Sequence, residues 1–459
     1  MYKRIISVIM LIIMLTILVS CGKKENVPQE DETLEQDTAS EQEIKDEEVN
    51  KEFAPIRQIG KAVGSIVGSP AKTSHGYYEI SPWNNTDFGN IVYTDYETQQ
   101  TIFLCNVPGC AHNTPDCTSY IPYSRNTTLF TDYSENHLYL WFRGIEANAN
   151  EDGAPASITE MNMDGSGRRT VLVLPGEERF SQSYMYVAGD EYMYALVEHY
   201  EMAKVKSWDF ETQTEVEKES PVPTDVIERI WFKDGKREKI RTLKNNNSLY
   251  EGLSGTADDK YLLLTCWEYG DNGSIGSKVI IDQNGETVDT IATFRSGEYV
   301  YVDDKYKIEV ERSNNTATAT IEFVKTGETR IIKDIPYPDY AGPAFVFGGY
   351  KDKFYLEYLW TESGRDNERA LILDFSEGIW KEFDLRLKTN SHYFVTPLAE
   401  TEKEYLVLIG RVDTTISLVD SEGVPRTYKY VGRNTYALMT KEDFWNSVPN
   451  YREIEDKLG

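Results

Sequence analysis

Basic residues, cysteines and histidines are all scarce in this chain of 459 residues. Forty-eight Lys and Arg stand against 76 Asp and Glu, a formal charge of −28. Phosphate backbones and anionic headgroups repel so acidic a surface, which argues against nucleic acid as a partner and against electrostatic docking on lipid. Five cysteines over this length are too few for a disulfide-dense scaffold. No His-Glu-x-x-His helix, Gly-rich phosphate loop or Gly-x-Ser-x-Gly elbow occurs, so these signatures of metalloproteases, P-loop enzymes and α/β-hydrolases are absent. With 76 acidic residues some pair always falls at glycosidase separation, so no catalytic carboxylates are nominated.

Long apolar runs are also scarce. One is present, Ile5 to Val19, preceded by Lys3 and Arg4 and closed by Leu18-Val19-Ser20-Cys21. It is short for a membrane span and has no charged stop-transfer segment after it, so residues 1–20 read as an export signal. The closing Leu-Val-Ser-Cys resembles the lipobox of bacterial lipoproteins. That resemblance implies cleavage before Cys21, a diacylglycerol lipid on Cys21, and a lipid anchor on the extracytoplasmic face of the cell membrane. Residues 21–54 follow as a tether. From Glu25 to Glu52 there are twelve acidic residues, two lysines and no aromatic ring, too little apolar surface to offset the entropy of ordering.

Residues 55–459 carry a repeat. A polar pair followed by an alternating Tyr-rich segment recurs at Glu135–Phe142, Gly189–Val197, Asp258–Cys266, Asp303–Val310, Lys351–Leu359 and Glu402–Gly410. Each reads as the second strand of a hairpin. Downstream of most lies a second turn signal, around Asp164, Asp234, Asn284, Gly327, Gly378 and Gly423, where Asp-Gly, Asn-Gly and similar pairs supply positive backbone angles. Successive copies are roughly 45 to 65 residues apart, enough for four strands. Tyr77–Leu104 adds a seventh unit. The chain is therefore expected to be all-β, a β-propeller of about seven four-stranded blades, with tandem β-sandwiches as the alternative. The third unit is overlong and could hold an extra hairpin or an eighth blade. Thr440 and Asp443 stand at capping-box spacing before Phe444 and Trp445, which predicts a short terminal helix or turn packed on the last blade. The hairpin signal from Ile158 to Leu172, ITEMNMDGSGRRTVL, resembles TolB-like and DUF5050-like propellers and supports this architecture. The Ser-x-Asp-x-Gly-x-Thr-Trp box of sialidase propellers is missing.

The densest chemistry is CNVPGCAHNTPDC, residues 105–117, with Cys105, Cys110, His112 and Cys117 in a turn-rich loop. Three thiols and an imidazole form an ordinary structural zinc set. A disulfide between two of the thiols and a redox-active thiol are the alternatives outside the cytoplasm. Cys266 lies in an apolar strand and reads as a small buried hydrophobe, so three loop cysteines would leave one without a mate, which favours metal. This loop, the lipobox and the closing YALMTKEDFWN together resemble poorly characterised surface lipoproteins of Gram-positive bacteria, a resemblance that implies no activity.

His75, His137, His199 and His392 are scattered singly and read as surface or packing residues. Trp141, Trp360 and Trp380 are candidates to line an axial or rim surface and stack on sugars or peptides. The expected function is a non-catalytic binding or scaffold module of the cell surface, presenting a rim to a glycan, peptide or envelope protein. The alternative is a polysaccharide hydrolase or lyase with two carboxylates in an axial pocket, and a weaker third reading is a metal sensor or assembly factor.

Overall fold

Each sequence repeat proves to be one antiparallel sheet. The computed structural model describes residues 53–458, except 62–69, 83–87, 146–152, 177, 182–184, 210–213, 247, 271–272, 296–298, 303–304, 339–340, 342–344, 363–364, 390–392 and 420–424. The signal segment, Cys21 and the acidic tether lie outside the described residues, as do His392 and the turn around Gly423.

Seven sheets succeed one another along the chain, each with four strands paired in chain order, and together they form a seven-bladed β-propeller. The Tyr-rich segments are their second strands: His137–Phe142, Tyr192–Asp209, Tyr261–Gly270, Tyr306–Ser313, Lys353–Glu362 and Glu404–Val419, with Gly76–Pro82 in blade 1. The tandem-sandwich alternative is thereby corrected. Successive side chains of a strand point to opposite faces, and here both faces are covered by neighbouring blades. Leu138 and Leu140 pack with Ile80 and Ile91 of blade 1, whereas Tyr139 and Trp141 pack with Met193, Ala195 and Phe232 of blade 3. Trp141 is 2% exposed, so its expected place on an axial or rim surface is also corrected. Trp360 and Trp380 are half-buried against the core between blades 5 and 6.

First and second strands, and third and fourth strands, join at one rim of the ring, mostly by tight turns. Asp258-Asp259 and Lys351-Asp352 take the paired positive φ angles of such turns. At Gly235 and Gly285 the glycine of an Asp-Gly or Asn-Gly turn meets a second demand, because the turn presses on the outer strand of the preceding blade. A Cβ at Gly235 would lie 2.2 Å from the Val171 carbonyl oxygen, and one at Gly285 would lie 2.7 Å from that of Ile240.

Second and third strands join at the opposite rim, where two blades are extended. In blade 3, Tyr192–Asp209 and Thr214–Trp231 stay paired out to Asp209 and Thr214, well past the reach of the first strand. The overlong third unit is this two-stranded arm and no eighth blade. Glu404–Val419 and Pro425–Thr440 form a similar arm on blade 7.

The ring is closed by the chain end. Arg452–Glu453 pairs with blade 7 and Glu455–Asp456 pairs in parallel with Gln100–Phe103 of blade 1. The expected helix is Lys441–Trp445, capped by Thr440, whose Oγ1 accepts from the Asp443 N–H at 3.0 Å, with Phe444 and Trp445 buried. An unexpected element is the strand Arg57–Lys61, which pairs with the first strand of blade 3, Met185–Ala188, and lies against the first strands of blades 1, 2 and 4. It thus lies at the inner side of the ring, against the first strands of four blades. Ile56 is fully buried, its N–H donates to the Asp259 carbonyl, and Arg57 pairs with Glu135 at 3.1 Å, so the chain enters at the tight-turn rim. No described helix is long and apolar enough to cross a membrane.

Candidate metal centre

The loop from Cys105 to Cys117 leaves the fourth strand of blade 1, Gln100–Phe103, and leads to the first strand of blade 2, Thr127–Thr131. Its fold follows from its turn residues. Gly109 at φ 72° turns the chain so that the Cys110 N–H reaches the Val107 carbonyl, and His112 itself takes φ 56°. A second turn, from the Cys117 N–H to the Thr114 carbonyl, brings the last thiol back. Ligand atoms of Cys105, Cys110, His112 and Cys117 consequently lie within 4.8 Å of one another. His112 Nδ1 is 3.3 Å from Cys117 Sγ, and the His112 backbone N–H donates to Cys110 Sγ at 3.4 Å.

Burial is graded across the cluster. Cys117 is 3% exposed, and Cys105, Cys110 and His112 are half-buried. The four described cysteines carry free thiols, with Cys266 buried in the core between blades 3 and 4. At Cys105 burial opposes ionisation, but the Val107 N–H and hydrogen bonds from Cys117, Thr118 and Cys110 outweigh it and lower the pKa. At Cys110 the His112 N–H favours the thiolate, yet burial and the adjacent sulfurs prevail and raise the pKa. Burial lowers the pKa of His112 and so favours the neutral imidazole that a ligand must be.

Three sulfurs and one ring nitrogen at this spacing fit a metal ion such as zinc, and four protein ligands make a closed, structural kind of site. A bound ion would tie the two ends of the loop together and supply no open position for a substrate.

Other candidate residues stand apart from this cluster. His137 meets Asp132 at 3.0 Å, His199 lies between Glu228 at 2.9 Å and Glu178 at 3.5 Å, and His75 is exposed. Two carboxylate features escaped the sequence reading. Glu368 on blade 6 is pushed up to about 8 by burial and by hydrogen bonding and charge from Glu357, which itself accepts from the Tyr355 hydroxyl at 2.6 Å. Glu79 on blade 1 is pushed up to about 7 by burial, against the hydroxyl of Tyr436 on blade 7, which donates to it at 2.6 Å. Both pairings depend on strand register and on which blades meet, and neither leaves a local signal in the chain.

No protein-family model matches the chain, and no curated protein is similar to it in sequence. Among solved structures it is similar to an ulvan lyase, a polysaccharide lyase bound to a GlcA–Rha3S saccharide, at 8% identity and TM-score 0.40, over 87% of this chain and 99% of that one. It is also similar to the acylaminoacyl peptidase of Pyrococcus horikoshii, at 10% identity and TM-score 0.39, over 82% of this chain and 52% of the other. A puromycin-hydrolysing peptidase of Mycobacterium tuberculosis gives 11% and 0.41, over 81% and 57%. The chain thus spans about half the length of these two peptidases.

Proposed function

We propose that the protein is a lipid-anchored module of the cell surface that binds an envelope glycan, peptide or protein without chemically changing it. In this reading Cys21 carries the diacylglycerol lipid, the acidic segment after it is the tether, and Cys105, Cys110, His112 and Cys117 hold a structural zinc ion. The observation that carries the binding role is the strand Arg57–Lys61, which lies against the first strands of four blades at the inner side of the ring. A propeller encloses a central channel, the natural concave site for a small substrate, and in this reading the chain's own strand takes up space there. Partner contact is left to the rims, and the rim opposite the chain's entry carries the two long arms.

Residues 53–459, purified and incubated with isolated envelope polysaccharide and peptidoglycan, should show saturable retention with no new reducing ends, unsaturated sugars or free amines. Steady release of any of these would overturn the non-catalytic reading. In cells, Cys21→Ala should move the protein from the membrane fraction to the medium; unchanged membrane retention would remove the lipid anchor. The hydrolase or lyase reading is favoured by one observation, the raised Glu368 beside Glu357. It requires that Glu368→Gln abolish a measurable turnover.

A further inference from the structure

The tight turn between third and fourth strands packs on the outer strand of the preceding blade where blades 2 and 3 meet, and again where blades 3 and 4 meet. Between blades 1 and 2 the partner is different. Blade 1's fourth strand ends at Phe103, and a Cβ at Gly165 of the blade 2 turn would meet the Thr118 carbonyl oxygen at 3.0 Å and the Leu104 side chain at 3.1 Å. Thr118 is the residue after Cys117, and Tyr120–Ile121 then resumes the pairing with blade 1's third strand, Gly89–Asp95, so the cysteine loop interrupts the outer strand that is continuous at the other two seams. Thr118 Oγ1 donates to the Leu104 carbonyl at 2.7 Å, which joins the two ends of this interruption.

Two side chains fasten it. Asn90 of blade 1 is fully buried, and its Nδ2 donates to the His112 carbonyl at 2.8 Å and to Ser119 Oγ at 2.9 Å; Ser119 Oγ in turn lies 3.1 Å from Cys117 Sγ. Arg168 of blade 2 reaches across the seam, with its guanidinium donating to the Tyr120 carbonyl at 2.8 Å and to that of Thr118. A divalent ion on three thiolates and a neutral imidazole would bear a net negative charge, and Arg168 brings a cation hydrogen-bonded to the residues just after Cys117.

We propose that Asn90, Ser119 and Arg168 form the outer shell of the metal centre, and that metal binding thereby locks the seam between blades 1 and 2. This rests on the metal-site reading given above. Asn90 and Ser119 orient His112 and Cys117 from within blade 1. Arg168 is a positioning residue supplied by blade 2, so ion and seam stabilise each other.

The test uses the full chain loaded with zinc. Metal analysis of the wild type comes first: a chain that takes up no zinc overturns the metal site and this inference with it. If zinc is bound, chelator competition should show Arg168→Gln and Asn90→Ala holding it roughly 10- to 100-fold more weakly at unchanged stoichiometry, with Arg168→Lys between Arg168→Gln and the wild type. Hydrogen exchange should show that stripping zinc exposes amides of residues 163–168 on blade 2 as well as 105–119, while the Gly235 turn stays protected and reports an intact ring. Wild-type zinc affinity in Arg168→Gln, or unchanged protection of 163–168 on stripping, would overturn the seam lock and leave the metal site standing.

Discussion

The seams between blades 1 and 2 and between blades 2 and 3 solve one packing problem with different materials. At the second, the Gly235 turn lies on the outer strand Arg169–Val173, which is bulged at Val171 and paired with Ser157–Asn162 on either side of the bulge. At the first, the Gly165 turn lies on Leu104 and Thr118, the two ends of a loop rich in metal ligands that interrupts the outer edge of blade 1 between Phe103 and Tyr120. A loop that interrupts the outer strand of a blade needs another source of rigidity, and four ligands on one ion can provide it.

The comparison breaks most decisively at the metal. Cys117→Ser, or zinc removal from the wild type, should cost the first seam on the order of 10 kcal/mol of local folding. Elemental analysis with thiol counting checks it: one zinc per chain and three protected thiols in the wild type, with both lost in His112→Ala. Next is the strand-built seam. Gly235→Ala would force a Cβ to 2.2 Å from the Val171 carbonyl oxygen at φ 67°, and should lose about 2 to 4 kcal/mol in denaturant unfolding. Gly327→Ala, at the same φ but with open space around it, should cost only about 1 kcal/mol. Equal losses at the two glycines would mean that the turns do not bear on their neighbours.

The closing seam, between blades 7 and 1, responds to pH. Glu79 binds its proton more tightly folded, at about 7, than its ordinary 4.5, so its contribution is full below pH 4.5 and is lost as pH rises through 7. Glu79→Gln stays neutral. The wild type should therefore lose roughly 1 to 3 kcal/mol relative to Glu79→Gln between pH 4.5 and 7, read as the difference of two melting curves. A constant difference would remove Glu79 from the seam's pH response. Smallest is the blade 3 arm, which lies beyond the seams. Replacing residues 200–223 with an Asn-Gly turn should change stability by less than about 1 kcal/mol, since the arm's strands pair with each other there and His199 keeps its contact with Glu228.

The parts legible in the sequence were those with a local signal. Asp164-Gly165 and Asp234-Gly235 announced turns because few other residue pairs tolerate the required angles, and Thr440 announced its helix because a side-chain cap acts three residues away. Trp141 was misplaced for a physical reason: in a strand buried on both faces, alternation no longer separates inside from outside. The strand Arg57–Lys61 was missed because it is short and its partner, Met185–Ala188, lies far along the chain.

By itself the sequence determined strand periodicity, turn positions, blade size and the ligand types gathered between residues 105 and 117, all properties that act within a few residues. Only the tertiary structure decided which blade each turn presses on, that Arg168 and Asn90 reach the cysteine loop, that Glu79 meets Tyr436, and that the strand Arg57–Lys61 lies against the first strands of four blades. Those pairings join residues distant in sequence, and ring closure sets them by bringing each blade against its neighbours and the last blade against the first.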